Sequence, residues 1–219
     1  MNILAIETAT PRCSVALQAG SEVRVRAELA PRGHATLLLP WIGELLAEAG
    51  LAWSDLDRIA VGRGPGGFTS LRIGLSVAQG IALGHDLPIA PVSSLAALAL
   101  AADPNGEHEH VLALIDARMG EVFVGAYRRG PDGLTAIEAE KVVGPARLQV
   151  PVGGPWLVAG SGLAAYPETI ESRLTGAVAD RRPQAWPEAR QTLVLGAKAR
   201  TVPAWELEPV YVRNDVTHQ

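Results

Sequence analysis

The chain begins one pattern twice, and this repetition restricts the folds open to it. The stretch NILAIETATPRCSVAL occupies positions 2–17, and HVLALIDARMGEVFVG occupies 110–125. Each opens with an apolar run that ends on a carboxylate, Glu7 in the first and Asp116 in the second. Each then turns within a few residues into an alternating partner run. Apolar and alternating runs of this length predict strands, joined here as hairpins. A further strand follows in both copies, EVRVRAEL in the first and a run after the Gly-Pro-Asp-Gly turn in the second.

The first copy continues with a helical pattern over 33–51, a strand over 56–62 and a second helix from Thr69 to Gly84. A short strand at 87–93 and the helical SLAALALAA complete it. The second copy is poorer. It offers one strand in WLVAGSGL, a helix in AAYPETIESRL and a last helix starting at Pro187. A meander followed by alternating helices and strands, begun twice, predicts an internally duplicated α/β protein with mixed sheets flanked by helices. The expected organisation is a first lobe over 1–101 and a reduced second lobe over 102–186. The helix of 187–201 is expected to return to the first lobe, and 202–219 to form a tail.

Composition narrows the function classes. With 19 Lys and Arg against 23 Asp and Glu, the formal charge is −4 and no basic run is present. Nucleic-acid binding draws much of its affinity from a basic face, so binding by this chain alone is disfavoured. One cysteine excludes an internal disulfide framework and fits a reducing compartment. No apolar run reaches membrane-spanning length and no leader pattern is present, so a cytoplasmic location is expected.

The stretch GRGPGGFTSLRIG at 62–74 satisfies two phosphate patterns on paper. Gly62, Gly64 and Gly67 match the dinucleotide fingerprint, but no acidic residue ends the following strand to hold a ribose. Gly62 to Thr69 match the Walker A spacing with Phe68 in place of the lysine, and Pro65 removes one amide donor. A tight strand-to-helix turn accounts for more of the residues. Thr69 is then the expected N-cap, with Phe68 and Ile73 as a hydrophobic staple. Beyond it Leu71, Gly74, Leu75, Ala78 and Ala82 share one helix face. Packing inside the chain and docking of a partner are both open for that face.

Four stretches together, ILAIETATPRCSVAL, GRGPGGFTSLRIGLSVAQGIALG, IDARMGEV and the terminal EPVYVRNDV, closely resemble the bacterial TsaB (YeaZ) family. The resemblance implies a duplicated actin/Hsp70-like (ribonuclease H-like) two-lobe fold. It implies an accessory role in threonylcarbamoylation of the adenosine next to the anticodon, in tRNAs reading codons that start with A. The expected partners are a TsaD-like catalytic subunit, a TsaE-like ATPase, and a second copy when alone, with tRNA reached through the complex. No catalytic residue or metal ligand is expected, since the metal-binding His pair of the catalytic paralogue has no counterpart here. No cofactor is expected to be required, although ATP, ADP and Mg²⁺ belong to the complex. Glu7, Thr8, Asp116 and Arg118 mark a vestigial nucleotide cleft. Leu38, Trp41, Ile42 and Leu45 on the first helix, with Leu71, Leu75 and Ala78 on the second, are the expected docking surface. The rival reading is a stand-alone ATP- or metal-dependent enzyme, or an M22-type peptidase, using Glu7 and Asp116. Cys13 sits in a strand pattern and reads as a buried apolar residue. His108 and His110 read as a polar loop.

Overall fold

The computed structural model describes residues 1–131, 133–174 and 178–212. It divides into two units, one of Met1–Ala97 with Pro187–Val210 and one of Leu98–Trp186 with Tyr211–Gln219.

The first unit is a five-stranded mixed sheet with helices packed on it. Strands β1 (Ile3–Glu7), β2 (Arg12–Ala19) and β3 (Glu22–Leu29) form the antiparallel meander. β4 (Arg58–Gly62) pairs parallel to β1 and β5 (Ile89–Val92) parallel to β4, giving the order β3-β2-β1-β4-β5. All five residues of β1 are buried, as expected for a central strand covered on both faces. Helices α1 (His34–Ala49) and α2 (Phe68–His85) cover one face. Their apolar stripes meet Leu4, Ile6, Val15, Leu17, Ile59 and Val61 in the larger core. Helix α3 (Ser94–Ala102) follows β5.

The second unit repeats the topology. Strands β6 (His110–Arg118), β7 (Glu121–Gly130) and β8 (Gly133–Ala136) form its meander, with the short β9 (Lys141–Val143) also paired to β7. β10 (Trp156–Ala159) lies parallel to β6, and β11 (Val178–Arg182) parallel to β10. The order β11-β10-β6-β7-β8 mirrors the first sheet strand for strand. The reduction falls on the helices. A single 3₁₀ turn at Pro145–Arg147 stands where α1 stands in the first unit, and two five-residue helices, α4 (Ser161–Ala165) and α5 (Pro167–Glu171), stand where α2 does.

The last helix, α6 (Ala189–Gly196), packs on β1, β2 and β4 of the first unit, on the sheet face opposite α1 and α2. Gly196 admits this approach, since a Cβ there would run into Ala60. Residues 202–210 of the segment expected as a tail are tied into the first unit. Val202 and Ile89 exchange backbone hydrogen bonds, a 3₁₀ turn at Ala204–Glu206 packs on α2, and the Val210 N–H donates to the Arg63 carbonyl. The EPVYVRNDV motif passes beyond the described residues after Val212.

Candidate functional site

Hydrogen bonds from several elements converge on the β1 tip of the first unit. Glu7 ends the central strand and is fully buried. Its Oε1 accepts the N–H groups of Thr8 and Ala9, both at 2.9 Å. The Ser94 hydroxyl lies 3.1 Å from each carboxyl oxygen, and the Thr192 hydroxyl donates to Oε2 at 3.2 Å. Ser94 opens α3, and Thr192 sits on α6. A buried carboxylate without donors would cost several kcal/mol, about 3 or more. Here donors come from three elements. Burial raises the Glu7 carboxyl above its ordinary range, and the bonds from Ala9, Ser94, Thr192 and Thr8 pull it part of the way back.

The glycine-rich loop is shaped around this tip. A Cβ on Gly62 would stand 2.5 Å from the Glu7 Cδ and Oε1, and one on Gly66 would stand 2.5 Å from the Ala9 Cβ. A Cβ on Gly74 would run into the Thr8 hydroxyl. The loop's own amides are engaged as well: Gly67 N–H donates to the Ala9 carbonyl at 2.7 Å and Arg63 N–H to that of Val92. Gly64, at φ +93°, aims its carbonyl at the Ser94 N–H. Neither phosphate pattern describes this loop. Its glycines supply clearance for β1. The helix start also differs from the sequence reading, since α2 begins at Phe68 with Gly67 as N-cap. Thr69 is therefore inside the helix, and the Arg72 guanidinium lies 3.3 Å over the Phe68 ring.

Glu7 and Thr8, expected at a vestigial nucleotide cleft, are both buried in the first unit. Glu7 presents no exposed oxygen to a cation or phosphate. Thr8 Oγ1 is buried and has no hydrogen-bond partner among the described residues. The corresponding tip of the second unit is built differently. Asp116 accepts the Arg118 N–H at 2.9 Å, pairs with the Arg118 guanidinium at 3.1 Å and takes the Tyr166 hydroxyl at 3.4 Å. Its own N–H donates to Ser161 Oγ. Arg118 and Met119 take left-handed backbone with Gly120 to close the hairpin. Arg118 pairs with Asp116, its side chain otherwise largely exposed.

The expected docking residues require a larger correction. Leu38, Ile42, Leu45, Leu71, Leu75 and Ala78 are buried in the first unit's core, and only Trp41 remains partly exposed. An apolar helical stripe goes to the core before it is available to a partner. The small-residue face of α2 is therefore an internal packing face. The outward sides carry a different set: Leu39 is 52% exposed on α1, and Phe68 and Leu83 are 62% and 63% exposed on α2. Leu37, Trp41, Ile73 and Val77 are half-buried beside the core. The periodicity that identified the core stripe identifies these only by exclusion.

The histidines, Cys13 and the Asp103 group make local contacts within the chain. His34 is buried with its Nε2 3.0 Å from the Thr10 carbonyl, and burial holds its imidazole below the ordinary range. Burial, with Glu28 adding, pushes the Cys13 thiol up to about 12, so it is inert at neutral pH. His85 ends α2 and stacks on Trp53. His108 and His110 do not converge: the first contacts Asp103 and the second packs on Trp156. Asp103, Glu107 and His108 bring three ligand atoms within 4.8 Å of one another. The Asp103 oxygens, however, already accept the Glu107 and His108 amides and pair with Arg129, which makes the group an internally bonded loop. No helix among the described residues is long and apolar enough to cross a membrane.

Comparison with known proteins settles the family. A chain named tRNA threonylcarbamoyladenosine biosynthesis protein TsaB from Escherichia coli is 40% identical over 225 residues, covering 99% of this chain and 96% of that one. The chain belongs to the TsaB (YeaZ) family. The protein of the same name from Haemophilus influenzae is 40% identical over 231 residues, with 99% and 95% covered. The solved structure of YeaZ from Pseudomonas aeruginosa superposes with a TM-score of 0.88 at 38% identity, covering 96% of this chain and 99% of that one. Residues 22–202 also match the family model described as TsaD, tRNA N6-adenosine threonylcarbamoyltransferase. YeaZ therefore shares the fold of this chain over nearly its whole length, including the duplicated sheet topology with its reduced second half.

Proposed function

We propose that this chain is an accessory, non-catalytic subunit in the synthesis of threonylcarbamoyladenosine on tRNA, and that it acts by docking on a transferase of the TsaD kind. The observation that carries the reading is the match of nearly the whole chain, at 40% identity, to proteins named for that biosynthesis. The TsaD match over 22–202 supports the choice of partner, because chains that share a fold can pair through equivalent faces. The enclosure of Glu7 and the local pairing of Asp116 favour a subunit over an enzyme.

The docking surface in this proposal is the outward side of α1 and α2, centred on Leu39, Phe68 and Leu83 and flanked by Trp41, Ile73 and Val77. Apolar side chains exposed along adjacent helices are the kind of surface that partners cover. A second copy of the chain takes the same surface when the transferase is absent. A TsaE-like ATPase joins the assembled pair. ATP or ADP, Mg²⁺ and tRNA are handled by the assembly, since the acidic chain has no basic run of its own. A role in tRNA modification implies a cytoplasmic location.

The test combines co-purification with a tRNA-modification assay using a TsaD-family transferase and a TsaE-family ATPase. Modification is expected to need this chain. The variant Leu39→Glu/Leu83→Glu is expected to lose the complex while staying folded, because substitutions at exposed sites usually change stability by only about 0.5 kcal/mol each. Modification at full rate without the chain overturns the role. Co-elution of the double variant with the transferase overturns the surface.

A further inference from the structure

We propose that the β1 tip is a preformed oxyanion site which the chain fills with its own Glu7 carboxylate. The donors form a cradle: the N–H groups of Thr8 and Ala9 on one oxygen, the Thr192 hydroxyl on the other and the Ser94 hydroxyl reaching both. Ser94 and Thr192 have no exposed surface, so the cradle is a built interior site fixed by packing. Two adjacent backbone amides and two hydroxyls converging on one carboxylate form the donor set that also recognises a free carboxylate or a phosphate oxygen. Gly62 completes the cavity wall, standing where any Cβ would run into the carboxylate. The occupant arrives along the strand as the terminal residue of β1, so it needs no diffusible ligand. An external oxyanion can enter only when the Glu7 side chain is out of the cradle. The tip is therefore closed to the phosphates of a nucleotide by an internal ligand as well as by loop sequence.

The missing fragment of a Glu7→Ala variant is two carbons and two oxygens, which is acetate. The experiment measures thermal stability of full-length Glu7→Ala, Glu7→Gln and wild-type protein at pH 8 in sodium acetate and in sodium chloride of equal ionic strength. Glu7→Ala is expected to melt lower than wild type in chloride and to recover in acetate along a saturating curve. At ten times the half-saturating concentration, the folded-to-unfolded ratio rises about eleven-fold. Wild type and Glu7→Gln, whose cradles are filled, are expected to gain nothing from acetate beyond chloride. Adding Thr192→Val to Glu7→Ala is expected to weaken the acetate gain. If Glu7→Ala does not fold in chloride, its refolding yield in acetate against chloride is the readout. Equal effects of acetate and chloride on Glu7→Ala overturn the proposal, as does an equal acetate gain in all three proteins.

Discussion

Replacing Gly62 with alanine tests the idea that the glycine-rich loop exists to clear space for a buried carboxylate. Gly62 has no left-handed backbone to protect, so the substitution introduces a methyl group and no backbone strain. That methyl would stand 2.5 Å from the Glu7 Cδ, roughly 1 Å inside ordinary contact. The carboxylate has to retreat by about that amount, which pulls it off the Ser94 and Thr192 hydroxyls at 3.1 and 3.2 Å. A hydrogen bond to a charged group contributes about 1.5–3 kcal/mol, so losing both costs about 3–6 kcal/mol. Natural domains are stable by about 5–15 kcal/mol, which makes the loss a large share of the total. At about 2–4 °C per kcal/mol for a chain of this size, the melting temperature should fall by about 6–24 °C. Gly80→Ala is the control. It lies inside α2 with nothing within 4 Å of the new methyl, and is expected to stabilise by about 0.5–1 kcal/mol. The Gly62→Ala effect should also couple with Glu7. On a Glu7→Ala background the clash partner is gone, so adding Gly62→Ala should cost far less than it does alone. Gly62→Ala within about 1 kcal/mol of wild type, or a fully additive double mutant, would refute the reasoning.

Two further outcomes are expected. Ala78→Glu, on the core side of α2, buries an unpaired carboxylate and should destabilise by about 3 kcal/mol or more, so circular dichroism should show loss of fold at temperatures where Leu83→Glu remains native. His34 has a folded-state value lowered by burial, so the unfolded chain binds more protons and stability should fall as pH drops below 6.5; in urea titrations across that range, His34→Gln should flatten the dependence.

Much of the architecture was legible because it rests on local periodicity. The apolar runs at 3–7 and 111–115 read as buried strands, and their hairpin partners followed from alternation. The repeat of that pattern announced a duplicated sheet, and the two sheets do share one strand order. The helix over 94–102 was readable to its ends. The start of α2 was not, because an N-cap depends on where the backbone leaves the helix, and the close approach of Ala9 to Gly66 and Gly67 moves that point ahead of Thr69. The docking face was misplaced for a different reason. An apolar stripe has the same spacing whether it faces a sheet of its own chain or a partner, and α1 and α2 turn theirs inward onto β1, β2 and β4.

Read alone, the sequence determined two sheets of one topology, the carboxylates that end their central strands and a loop unsuited to phosphate. The surroundings of those carboxylates were decided by the tertiary structure. Ser94 and Thr192 stand 87 and 185 positions from Glu7, and no local pattern links them to it. They meet because α3 starts at the end of β5 and α6 packs back on β1. Burial then demands donors for the carboxylate, and only packing brings those donors within reach.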